Sequence, residues 1–104
     1  MKLWDAAQRI PPNVGHGAYF KRDENDEWMP CCALGYLITY AGGNADAIAM
    51  DVALLETFYG LSVQEREDLI FANDDSGDEY RQLAVLHAIA RIVIRKLDRT
   101  SYKL

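Results

Sequence analysis

Cysteine, histidine and proline are scarce in this chain, with two, two and three residues respectively. The cysteines are neighbours, Cys31 and Cys32, and adjacent cysteines close a disulfide only through a strained ring. A disulfide framework is therefore excluded as the source of stability. Zinc sites take spaced ligands such as Cys-x-x-Cys, and there is no second pair, so no metal is expected. No phosphate loop and no convincing catalytic triad can be read, and no cofactor is expected. No leader peptide is expected, since the N-terminus, "MKLWDAAQRIPP", has one lysine and then a short amphipathic segment. The longest apolar run, "MPCCALGYLITYAGG", is too short and too glycine-rich to span a bilayer, which argues against a membrane partner. Free thiols without an export signal point to a reducing cytoplasm. Basic residues are also few, 11 against 16 acidic ones, for a net charge of −5. A negative chain repels phosphate backbones, which argues against nucleic acid as a partner.

Repeats, low-complexity tracts and linkers are missing as well, so residues 1–104 read as one domain. Half of the residues are apolar and 26% are charged, the balance of a globular protein. A chain of this size buries roughly 65% of the surface it exposes when unfolded, enough for one core. The pattern predicts a mainly helical α+β fold, with about five helices and one small β-hairpin packed on them.

The first helix is expected over Lys2–Ile10, stopped by Pro11 and Pro12. "GHGAYFKRDENDEWMP" alternates around the polar "DEND" and predicts strands near Ala18–Arg22 and Glu27–Met29. A second helix is expected over Pro30–Ala41, with proline at its first position and "GGN" after its end. A third should cover Ala45–Tyr59, ending at Gly60. Ser62-x-x-Glu65 is a capping box for a fourth, running to Phe71 or Ala72. Ser76-x-x-Glu79 is read as a second capping box, opening the longest helix, Asp78–Leu97. That helix carries more apolar residues than one buried stripe requires, so a homodimer through it is expected. Arg81, Arg91, Arg95 and Arg99 supply its polar seam.

On this reading Cys31 and Cys32 lie in the first turn of the second helix, where N–H groups favour thiolate. Nucleophilic or redox chemistry would also need a base, and only His16 and His87 are available. The alternative is that both cysteines are small core residues, with Gly35 allowing another element to approach closely. The composition of their neighbours favours the core. "DEND" reads as a solvated turn, and the spacing of "NDDSGDE" fails the calcium loop, since Gly77 comes one place early when counted from Asn73. Asn73 is expected to end one helix in a left-handed conformation, with Asp74, Asp75 or Ser76 capping the next. Read as a helix-turn-helix, the second helix would lead with Asp78 and Glu79, which suits DNA poorly. A weaker alternative is a nucleic-acid contact through Arg91, Arg95, Lys96 and Arg99.

The order of features resembles a family of small bacterial and phage proteins of unknown function. In that family a Cys-Ala-Leu-Gly segment starts a helix, and an Asn-Asp pair precedes the last one. Here the matching residues are Cys32–Gly35 and Asn73–Asp74, and the resemblance runs from about Gly15 to Val93. It implies a helical architecture and a bacterial or phage origin, and it carries no catalytic residues across. The chain departs from the pattern in its doubled cysteine and its very apolar last helix.

Taken together, these features predict a non-enzymatic accessory or inhibitor protein, phage-encoded, that docks on a host protein. The expected contact residues are the aromatics Trp4, Tyr19, Phe20 and Trp28 and the acids Asp23, Glu24, Asp26 and Glu27. The alternative is a cysteine-dependent enzyme or redox sensor using Cys31 or Cys32 with His16 or His87.

Overall fold

A computed structural model describes residues 2–43 and 52–101. Among them the order is α1 (Leu3–Ala7), β1 (Phe20–Arg22), β2 (Trp28–Pro30), α2 (Ala33–Tyr40), α3 (Leu54–Thr57), α4 (Val63–Asp75) and α5 (Arg81–Ser101). Among the described residues the fold is the small α+β arrangement that the pattern predicts, with five helices and one antiparallel hairpin. The hairpin register sets Phe20 opposite Pro30, Lys21 opposite Met29 and Arg22 opposite Trp28.

One apolar cluster joins the elements. Leu3, Ala6 and Ala7 of α1 meet Leu34, Leu37 and Ile38 of α2, Leu55 of α3, Leu69 of α4, and Val85, Ile89 and Ile92 of α5. Tyr59 enters the same cluster and donates its hydroxyl to the Leu37 carbonyl, so its one polar atom is satisfied. Burial pushes its phenol up to about 12.

Several boundaries differ from expectation. α1 is shorter than Lys2–Ile10, because Arg9 and Ile10 make tighter three-residue hydrogen bonds that still deliver Ile10 to the core. Pro30 ends a strand and does not open α2. The Cys31 and Cys32 N–H groups donate to the Tyr19 and Ala18 carbonyls, which prolongs the hairpin ladder past the proline. Cys32, with extended backbone, becomes the N-cap of α2, so neither thiol lies in the helix's first turn. The first part of the helix expected at Ala45–Tyr59 lies outside the described residues. Its end is visible as α3, and Gly60 turns the chain in the left-handed region.

The Ser62–Glu65 capping box forms with both reciprocal hydrogen bonds. Burial would raise the Glu65 carboxyl, but the Ser62 N–H, nearby Lys96 and the Ser62 hydroxyl hold it below its ordinary value. The second box does not form. The Ser76 hydroxyl donates back to the Ala72 carbonyl, residues 78–80 make a turn, and α5 starts at Arg81. Asn73 is not a left-handed helix end either. It stays helical inside α4, fully buried, and α4 continues to Asp75.

The reason is the Asn73 side chain. Its Oδ1 accepts the Ala33 N–H at 3.0 Å, which caps the start of α2, and its Nδ2 donates to the Gly15 carbonyl at 3.0 Å. The Asn73 carbonyl accepts the Arg81 Nε–H at 2.7 Å. Arg81 is itself buried and also bonds the Ser76 and Val14 carbonyls and the Asp78 carboxylate. The Arg81 guanidinium holds Asp78 below the usual carboxylate range. The Asp74 carboxylate adds another tie by accepting the Gly17 N–H. The loop at 14–17, the start of α2 and the α4–α5 corner are thus tied at one point.

Replacing Asn73 by Leu keeps the number of side-chain heavy atoms and leaves the buried Ala33 N–H and the part-buried Gly15 carbonyl without the amide that pairs them. The expected loss is about 3 kcal/mol, read from urea unfolding. Tyr59 generates an alkaline prediction. Because the folded phenol titrates near 12 and the unfolded one near 10, its stabilising effect is complete below pH ~10 and fades as pH rises towards ~12. Stability measured across that window should fall by about 2 kcal/mol more in the parent chain than in Tyr59→Phe.

Candidate functional site

The hairpin tip is built by its own side chains. The Asp23 carboxylate accepts the Asn25 and Glu27 N–H groups at 2.8 and 3.0 Å, which folds the loop into an Asx turn. The Asp23 N–H in turn donates to the Glu27 carbonyl. Asp26 takes the left-handed conformation at φ 61°, one that a short acidic side chain tolerates better than most. Arg22 closes the loop by donating to the Asp26 carbonyl at 2.8 Å and lying beside its carboxylate.

Arg22 and Trp28 are directly opposed in the ladder, so their side chains share one face. The guanidinium carbon sits 4.4 Å from the indole centroid, a cation–π contact worth about 0.5–1 kcal/mol at an exposed site. Trp28 remains 48% exposed. In the same hairpin Glu24, Asp26 and Glu27 are exposed, and the Asp23 carboxylate is occupied by the turn. The hairpin therefore presents an oriented indole stacked on Arg22, and it carries exposed carboxylates at its turn.

The base of the hairpin is fixed to α2. A Cβ at Gly35 would overlap the Tyr19 carbonyl oxygen, so only glycine permits this approach, as the sequence suggests. Tyr19 and Phe20, expected as contact aromatics, are half-buried and pack against the core. They anchor the hairpin from below. Trp4 is 37% exposed and stands apart on α1. The structure thus gathers Trp28 and the acids at one tip and separates them from Tyr19, Phe20 and Trp4.

Cys31 and Cys32 are both buried and unbridged. Cys32 lines a cavity of about 150 Å³ together with Ala18, Tyr19, Leu34, Ile70 and Asp74. Burial pushes the Cys32 thiol up, against the opposing effect of the Gly35 and Leu34 N–H groups. Burial likewise raises the Tyr19 phenol, opposed by the Arg66 charge. Cys31 lies against Gly15, and its sulfur is 3.9 Å from the His16 carbonyl, not the ring. His87 is exposed on α5 beside Phe71, Arg91 and Arg95. Among the described residues neither imidazole hydrogen-bonds a thiol, and no group of three or more His, Cys, Asp or Glu side chains is placed to hold a metal. No described helix is long and apolar enough to cross a membrane.

Two positions that shape the candidate site and its support escaped sequence reasoning. Arg22 reads there as a strand residue, and its stacking on Trp28 depends on a register that composition does not reveal. Asn73 reads as a turn residue and is the buried tie beneath the site.

A thiol reagent distinguishes a buried pair from a reactive one. Both cysteines should label at least about tenfold slower in the native chain than in urea, since access requires opening of the fold. One thiol reacting at the unfolded rate under native conditions would contradict the burial described above.

Comparison of the chain with protein-family models, with curated proteins and with solved structures returned no match.

Proposed function

We propose that this chain is a non-enzymatic protein-binding module, an accessory or inhibitor protein that docks its hairpin tip on a basic surface of another protein. The observation that carries the proposal is Trp28, half exposed and stacked on Arg22 at the head of a turn braced by Asp23. Exposed tryptophans are frequent centres of binding energy, and the cost of ordering one on binding falls when it is already held. The exposed acids Glu24, Asp26 and Glu27 would steer a basic partner and raise its on-rate. The resemblance to small bacterial and phage proteins makes a bacterial host protein the partner to seek, and the unbridged thiols suit a reducing cytoplasm.

The cysteine-dependent reading has less support. Burial raises the Cys32 thiol and so disfavours thiolate, and neither histidine ring engages a cysteine.

The test is capture from nuclease-treated lysate of the source cell or its host, followed by affinity measurement with the recovered partner. Trp28→Ala should weaken binding by about 2 kcal/mol or more, the range of an interface hot spot. Reversing Glu24, Asp26 and Glu27 to Lys should slow association and flatten its salt dependence. Binding unchanged in both variants would overturn the docking mode.

A further inference from the structure

α5 has two apolar faces. Val85, Ile89 and Ile92 point into the core. On the opposite side Tyr80, Leu83, His87, Ala90, Ile94 and Leu97 follow one another at alternating steps of three and four residues. That is the a/d repeat of a coiled coil, in which each step returns to the same line on the helix. Tyr80 precedes α5 but is continuous with it, since its carbonyl accepts the Ala84 N–H. Tyr80, Leu83, Ile94 and Leu97 are between 57% and 64% exposed, and His87 is exposed as well.

From this geometry we infer that the outer line of α5 is a self-association surface whose occupant is the same helix of a second copy, packed antiparallel. Size complementarity selects the direction. With the two-fold axis at the middle of the line, His87 faces Ala90 of the partner copy, and Leu83 faces Ile94. Tyr80 then faces Leu97. The parallel alternative stacks His87 on His87 and leaves Ala90 opposite Ala90, a bulky polar layer next to a gap.

The flanks agree with the antiparallel pairing. Leu86 and Val93 are only partly buried and flank the line on one side, where each comes level with the other on the copy. Arg91 flanks the other side and meets Ala84 of the copy, so no like charges are brought together.

The line is about 26 Å long at 1.5 Å per residue. Pairing it with its copy buries roughly 600 Å² on each chain, or roughly 1,200 Å² in total, the lower edge of specific stable interfaces. This surface is separate from the hairpin tip, so the two proposals stand or fall independently.

The experiment is light scattering and sedimentation of the full chain from micromolar to near-millimolar concentration. The parent chain should pass from monomer to dimer. Leu83→Glu and Ile94→Lys should each weaken the dimer by at least about a hundredfold, with helicity by circular dichroism retained because both positions are exposed. Mixing the two variants should restore a dimer, because the antiparallel register sets each introduced charge against the other. His87→Leu should tighten the dimer about tenfold by replacing a polar group with an apolar one in the seam. A parent chain that stays monomeric throughout overturns the inference, as does a dimer indifferent to these substitutions. Loss in both variants without recovery on mixing overturns the antiparallel pairing.

Discussion

The Asn73 side chain is the constraint on which the rest of the structure depends. It is the one described residue whose hydrogen bonds reach the loop at 14–17 and the start of α2 together, while its own carbonyl receives Arg81. A buried amide with both ends satisfied fixes relative position more narrowly than apolar contact does, since a displacement of about 1 Å leaves polar groups unpaired. Arg81 makes the corner between α4 and α5 part of the same arrangement. A buried guanidinium is tolerated there because it is surrounded by carbonyls and the Asp78 carboxylate.

From that tie the order passes outward to the surface. Asn73 caps α2, and α2 offers Gly35 to the Tyr19 carbonyl. Cys31 and Cys32 continue the ladder that holds the two strands. The hairpin base is therefore set by the core, and only its last turn is left to local chemistry, which Asp23, Asp26 and Arg22 supply. A tip supported in this way can expose an indole without losing its orientation. Cys32–Gly35 and Asn73–Asp74 meet at this junction, though they lie some forty positions apart in the chain. The two surface proposals differ in kind: the hairpin offers one exposed aromatic group and exposed carboxylates at its turn, and α5 offers a long, mostly apolar line.

Local rules were legible in the sequence wherever local chemistry decides the outcome. The Ser62–Glu65 box, the turn at Gly60, the hairpin and the need for glycine at position 35 all follow from residue type and spacing. The failures cluster where distant partners decide. Pro30 followed by an apolar run reads as a helix start, but carbonyls of Ala18 and Tyr19 keep Cys31 and Cys32 in the ladder. "NDDSGDE" reads as a helix end followed by a cap. Partners at Gly15 and Ala33 instead hold Asn73 in the helix, and Ser76 turns back to Ala72. Arg81 reads as one of four arginines on a solvated seam, although its donors are used inside. Of the candidate site, the acids and Trp28 could be picked out by type. Their separation from Tyr19, Phe20 and Trp4 is a matter of burial and register.

Amide hydrogen exchange at Ala33 tests the central claim most directly. Ala33 is the first residue of α2, where an amide ordinarily lacks an intrahelical partner and exchanges quickly. If Asn73 ties the fold together, the Ala33 N–H should be protected as strongly as the buried amides at Leu37 and Ile38, and lost with them in global unfolding. An Ala33 amide that exchanges like a frayed helix end, while the interior of α2 stays protected, would contradict the account.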